Sequence, residues 1–217
     1  MSDKNPIEDL REIRRMMESS TKFLSLSGLS GVFAGLSAIV GSWFAYIEVE
    51  HFMQLRVHYM IQGRDIEWED QFALTLVIYG AVILVAALSL GVFFTWLKSK
   101  KQGKNLWTPL SIRLIISLMV PLAFGGLFLA GMFYQRLYDF IPPTTLMIYG
   151  FSLLNASKYV HVELKYLALC QLALGILAIF MLNWNFTLWI IGFGILHVLY
   201  GSIMYFKYDR KELFWAK

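Results

Sequence analysis

The sequence has a single cysteine, five prolines and few charges. Cys170 lies inside an apolar stretch, so no disulfide can close within the chain, and neither a CxxC redox pair nor a zinc finger is available. A small apolar packing residue is its expected role. Charged residues fill only 16% of the 217 positions, against about a quarter in a soluble domain. No long run of one sign occurs, which removes the basic stripe that grips nucleic acid. No Asp or Glu lies deep inside a long apolar segment, leaving no carboxylate for a proton-coupled pump. Ser/His/Asp, HExxH and paired-acid patterns are also missing from those segments. Met1 to Lys22 mixes both signs without an apolar core and does not read as a cleavable signal peptide.

What is present is apolar length. Hydrophobic residues make up 58% of the chain and mean hydropathy is +0.58. Six segments stand out, at Phe23 to Ile47, Phe72 to Leu97, Pro109 to Tyr134, Pro142 to Tyr159, Val162 to Leu182 and Phe186 to Phe206. A bilayer core about 30 Å thick needs roughly 20 apolar residues per helix, and each segment meets or approaches that length. The runs are apolar on every face, so alternating barrel strands are excluded and an all-α bundle of six transmembrane helices is expected.

Lys and Arg orient the bundle, because loops on the cytoplasmic side carry the positive excess. Of the 19, only Arg56, Arg64 and Arg136 fall on one side; the other side collects the rest, both termini included. Both ends are therefore expected in the cytoplasm. Trp43, Trp68, Trp184 and Trp189 mark the outer interface, and Trp96, Trp107, Tyr159, Tyr208 and Trp215 the inner one.

Residues 1–22 read as an amphipathic helix on the cytoplasmic surface: Asn5-Pro6 cap it, Ile7, Leu10, Ile13 and Met17 share a face, and Arg11, Arg14 and Arg15 oppose them. A solvated helix docked on the inner loops is the alternative. Residues 23–206 form the transmembrane domain and 207–217 a cytoplasmic tail. Residues 48–71 are the long outer loop, expected as a solvated cap or a short helix. Glu48, Glu50, His51 and His58 hint at a metal there, yet a site needs three or four converging ligands and no second histidine-bearing outer element exists. A bis-histidine haem fails on the same arithmetic, since His197 alone is deep in the membrane while His161 sits at its inner border. No cofactor is expected.

Ser27, Gly31 and Gly35 form a small-residue ridge on the first span. Such ridges bring helices into close van der Waals contact, within the chain or, alternatively, in a homo-oligomer. Tyr79-Gly80, Tyr149-Gly150 and Tyr200-Gly201 all fall on spans running outside to inside, which chance or a shared preference for small residues at helix crossings explains better than a repeat of helical hairpins does.

Polar residues inside lipid are costly unless paired, so they face the bundle interior or a cavity. Arg113, Ser117, Asn155, Lys158, Gln171, His197 and Tyr200 all lie in the cytoplasmic half. Gln171 and His197 are each about 13 Å from the inner face and could share a layer. Two arrangements remain open. In one, a cytoplasm-facing pocket is positive at its mouth through Arg113 and Lys158, with Asn155, Gln171 and His197 further in, suited to a small anionic or polar ligand. In the other, Arg113 and Lys158 snorkel to lipid phosphates while Gln171 and His197 bond each other.

The segments LMIYGFSLLNASKY (Leu146 to Tyr159) and IIGFGILHVLYGSIMYFKY (Ile190 to Tyr208), with a looser match at SLSGLSG (Ser25 to Gly31), resemble an uncharacterised family of small six-span bacterial membrane proteins. The resemblance implies a bacterial inner membrane and gives weight to Asn155, Ser157, Lys158, His197 and Tyr200. It implies no activity. The residues favour a non-enzymatic binding, sensing or accessory protein in contact with membrane lipids. A small transporter or channel subunit is the alternative, and a membrane-embedded enzyme with His197 as its acid or base is a third.

Overall fold

The structure, a computed structural model, describes residues 27–61, 69–103 and 105–210. The N-terminal amphipathic helix and residues 211–217 of the tail expected from the sequence lie outside the described residues. Within them the chain is helical, without a strand. In chain order come α1 (Gly28–Ile61), α2 (Glu69–Lys101), α3 (Pro109–Tyr134), α4 (Ile141–Ala156), α5 (Glu163–Phe180) and α6 (Leu182–Asp209). Short 3-10 turns at Tyr138–Phe140 and Ser157–Tyr159 flank α4. Five of the six helices, all but the sixteen-residue α4, are long and apolar enough to cross a membrane, and they mark the chain as a helical membrane protein.

Local chemistry explains the boundaries. Thr108 caps α3: its hydroxyl accepts from Ser111 N at 3.1 Å, and its own N–H donates to Ser111 Oγ at 2.8 Å. Pro109 then occupies the first turn, where a missing N–H is harmless. Pro142 and Pro143 open α4 in the same way. The outer loop expected over 48–71 is a correction in part, because α1 runs on to Ile61. Between Gly41 and Gly63 there is neither glycine nor proline to stop it, and Glu, Gln, Met and Arg are good helix formers. The extension pairs with the start of α2 through the stacked rings of Phe52 and Phe72, centroids 3.9 Å apart.

α6 is the hub. It packs against α1, which in turn carries α2, and against α5 and α4, the latter carrying α3. At the α1–α6 contact backbone meets backbone, because glycine faces glycine: a Cβ on Gly201 would meet Val32 N at 2.3 Å, and one on Gly28 would meet Tyr205 N at 2.2 Å. Gly31 and Gly35 face α6 as well. The ridge read from the sequence is thus filled from within the chain, and a homo-oligomer through Ser27, Gly31 and Gly35 would require α6 to leave. Of the Tyr-Gly pairs, Gly150 and Gly201 sit at helix crossings, whereas Gly80 faces open space.

Two apolar clusters fill the interior. Leu146, Ala178 and Leu188 form the one toward the Trp184 end; Leu153, Ala156, Val160, Leu164, Leu167 and Ala168 form the one toward the Lys158 end. α2 and α3 contribute little to either and leave their apolar faces uncovered.

Candidate functional site

Between the two apolar clusters lies a polar layer, created by an irregularity in α6. At Ile191–Ile195 the helix makes a π turn, and Leu196 N–H donates to Ile191 O. In a regular helix that N–H would serve Gly192 O. The freed carbonyl needs partners, since an unpaired acceptor in an apolar interior costs several kcal/mol by order of magnitude. Two side chains supply them. Gln171 on α5, fully buried, donates Nε2–H at 2.8 Å, and His197, one turn along α6, reaches the same oxygen through Nδ1 at 3.0 Å.

This geometry fixes the imidazole tautomer. A carbonyl oxygen only accepts, so His197 carries its hydrogen on Nδ1, and Nε2 is left to accept from the Tyr149 hydroxyl of α4 at 2.8 Å. The Tyr149 ring is inclined 30° to the imidazole, ring centroids 5.4 Å apart, and Phe193 and Trp189 continue the aromatic column toward the Trp184 end. Three helices are thereby joined at one carbonyl.

Two buried atoms beside this chain have no hydrogen-bond partner, Gln171 Oε1 and Tyr200 Oη. Tyr200, three residues beyond His197 on α6, packs against the cluster that contains Leu153 and Leu164. At the Lys158 end Glu163 accepts from Lys207 and from the Tyr208 hydroxyl, the latter at 3.0 Å, while its Oε2 is buried and unpartnered. On that side of the Gly192 layer, the cluster of Leu153, Ala156, Val160, Leu164, Leu167 and Ala168 closes the interior. On the other, toward the Trp184 end, Leu146, Ala178 and Leu188 close it.

The other residues singled out in the sequence gather elsewhere. Asn155 of α4 donates Nδ2–H to Ser117 O of α3 at 2.8 Å, and its Oδ1 accepts from Lys158 Nζ at 3.3 Å. Pro121 explains the first bond: it has no N–H for the carbonyl four residues back, which is that of Ser117. Asn155 therefore mends a proline gap. Arg113 is exposed on α3, and among the described residues it forms no ion pair. The seven residues split into a group on α5 and α6 (Gln171, His197 and Tyr200) and a group on α3 and α4 (Ser117, Asn155 and Lys158), with Arg113 bonded to neither. Gln171 and His197 do meet, through a shared acceptor and not through each other.

Sequence reasoning missed Tyr149 as a partner of His197, although it stands in the Tyr-Gly pattern. It also missed Asp209. This buried carboxylate accepts from Gly28 N at 2.8 Å, from Ser27 Oγ at 3.3 Å and from Lys98 Nζ at 2.8 Å. It compensates the positive end of α1 and fastens the start of α1 and the ends of α2 and α6 together. Its position one residue past Tyr208, beside Arg210, was the available signal. On the opposite side Asp70 joins the start of α2 to the segment after α3, through Arg136 Nη2 at 2.6 Å and the Tyr138 hydroxyl. Glu48, His51 and His58 lie on the extension of α1, and among the described residues no three His, Cys, Asp or Glu side chains converge as a metal site. No family model, curated protein or solved structure matches the chain.

Proposed function

We propose that this is a six-span protein of a bacterial inner membrane, both termini cytoplasmic, that binds or senses a small polar molecule through the layer formed by Tyr149, Gln171, His197 and Tyr200. It does so without catalysing a reaction. The distribution of Lys and Arg supports the orientation. The sixth span is α4: its helical length is about 24 Å, and the 3-10 turns at its ends add about 6 Å each. Because Pro143, Leu146, Gly150, Ser152, Leu153 and Ala156 are buried among other helices, α4 meets little lipid and tolerates the shorter rise.

The observation that carries the reading is the excess of buried polarity around Gly192. One freed carbonyl requires one donor; here it has two, a tyrosine beyond them, and Gln171 Oε1 and Tyr200 Oη still unpartnered. Buried polar groups of this kind are normally satisfied by a bound molecule or by ordered water. Apolar clusters bound the layer on both sides, which favours an enclosed binding site over a transport path.

Accessibility tests the reading. In a Cys170→Ala background, Tyr200→Cys is expected to react with a membrane-impermeant thiol reagent applied to the cytoplasmic face of oriented vesicles, and not from the outer face. Reaction from neither face would leave a sealed structural knot and end the binding reading; reaction from both would favour transport. A reporter fused after Lys217 and active only outside the cell would overturn the orientation.

A further inference from the structure

The proline gap in α3 opens onto a second feature. Pro121, Phe124, Gly125, Phe128, Ile148 and Phe151 line an apolar groove of about 310 Å³ between α3 and α4, the size of the smallest ligand pockets. Its floor is the Gly125 crossing, where a Cβ would lie 2.2 Å from Ile148 Cγ2; the missing side chain lets the two helices close behind the groove. The phenylalanines stand at its rim, and Phe124 and Phe128 are 71% and 62% exposed.

The helical register places cations at one end of this groove. On α3, Arg113, Ser117, Pro121 and Phe128 fall within an arc of about 80° on one side of the helix. On α4, Ile148, Phe151 and Asn155 do the same at spacings of three and four, and Lys158 stands in the 3-10 turn that follows, bonded back to Asn155. Arg113 is about 12 Å along α3 from Pro121, and Lys158 about 10 Å along α4 from Phe151, both toward the inner end. Asn155, held by the Ser117 carbonyl that Pro121 leaves free, in turn accepts from Lys158 Nζ and draws that ammonium toward α3. Both cations are exposed, and neither forms an ion pair among the described residues.

We infer that the α3–α4 groove is a binding site for an anionic phospholipid, one acyl chain lying along Pro121, Gly125 and Phe128 and the phosphate held between Arg113 and Lys158. A neutral lipid satisfies the groove but not the cations, and free phosphate satisfies the cations but not the groove. The match of an apolar slot to a two-cation mouth is the signature of basic pockets between membrane helices that take acidic headgroups. The inference is independent of the polar-ligand reading, since none of its residues touches Gly192.

Native mass spectrometry of the detergent-purified full chain tests it, with palmitoyl-oleoyl phosphatidylglycerol, phosphatidylcholine of the same chains and inorganic phosphate as probes. Phosphatidylglycerol should be retained in preference to phosphatidylcholine. Arg113→Gln combined with Lys158→Gln should weaken its retention by about thirtyfold, the loss expected of two interfacial cations. The conservative pair Arg113→Lys with Lys158→Arg should preserve it, and an unchanged melting temperature for both pairs would show that they fold. Equal retention of the two lipids, or an unaltered glutamine pair, would reduce the groove to ordinary lipid contact and overturn the proposal. Displacement of phosphatidylglycerol by phosphate at equal concentration would overturn the role of the acyl chain.

Discussion

In α3 the backbone ladder is broken by Pro121, and one side chain, Asn155, closes the gap at one carbonyl. In α6 it is broken by a π turn, and Gln171, His197 and Tyr149 assemble around the Gly192 carbonyl, with further polar atoms left over. Both breaks obey the same rule, that a backbone group in lipid must find a partner within the protein. The difference lies in how much polarity each recruits. A repair alone needs one donor, as α3 shows, so the additional groups at α6 require a second reason. π turns occur often at functional sites, and the binding reading supplies that reason here.

Three substitutions sharpen or break the contrast. His197→Leu should have the largest effect, about 2 kcal/mol, because it strands the buried Tyr149 hydroxyl while leaving Gly192 O to Gln171. Reversible unfolding in mixed micelles measures it, and a cost no greater than that of Asn155→Leu would erase the distinction between the two breaks. Asn155→Leu should cost about 1 kcal/mol, near the upper end for single hydrogen bonds between membrane helices. Its cost should fall sharply in a Pro121→Ala background, where residue 121 regains an N–H for Ser117 O; an identical cost in both backgrounds would show that Asn155 does not mend the gap. Lys158→Gln should shift stability least, by under about 0.5 kcal/mol, since its ammonium is exposed and its bond to Asn155 is long. A larger shift would make Lys158 part of the repair and not of the groove mouth.

The helices were largely legible in the sequence, because their determinant is composition along the chain. The segment expected at Pro109 to Tyr134 coincides with α3, whose Thr108-Pro109 start is written in residues that satisfy their own backbone. The continuation of α1 through Val49 to Ile61 was obscured because charged and polar residues there suggested a loop, although none of them breaks a helix. The candidate site was legible in depth but not in partnership. Gln171 and His197 were placed at one level by counting residues, yet their common acceptor is a main-chain oxygen exposed by a π turn, and no residue type announces such a turn. Asn155 was read as a ligand-facing amide. Its pairing to Ser117 O follows from Pro121 four residues on, but which side chain answers the vacant carbonyl is decided only when α3 meets α4. Asp209 shows the same limit, since its partners Gly28 and Lys98 come from helices far away in the sequence.

The Asp209 clasp and the glycine-to-glycine contact also bear on biogenesis. They join the first and last described helices, whose contacting residues Gly28 and Asp209 are 181 positions apart. α1 is synthesised before α6, so until α6 follows, its glycine groove lacks the helix that fills it and its amino end lacks its carboxylate. Assembly is completed late, by the arrival of α6. A nascent chain arrested before that point would present an unfinished surface that membrane quality control can recognise.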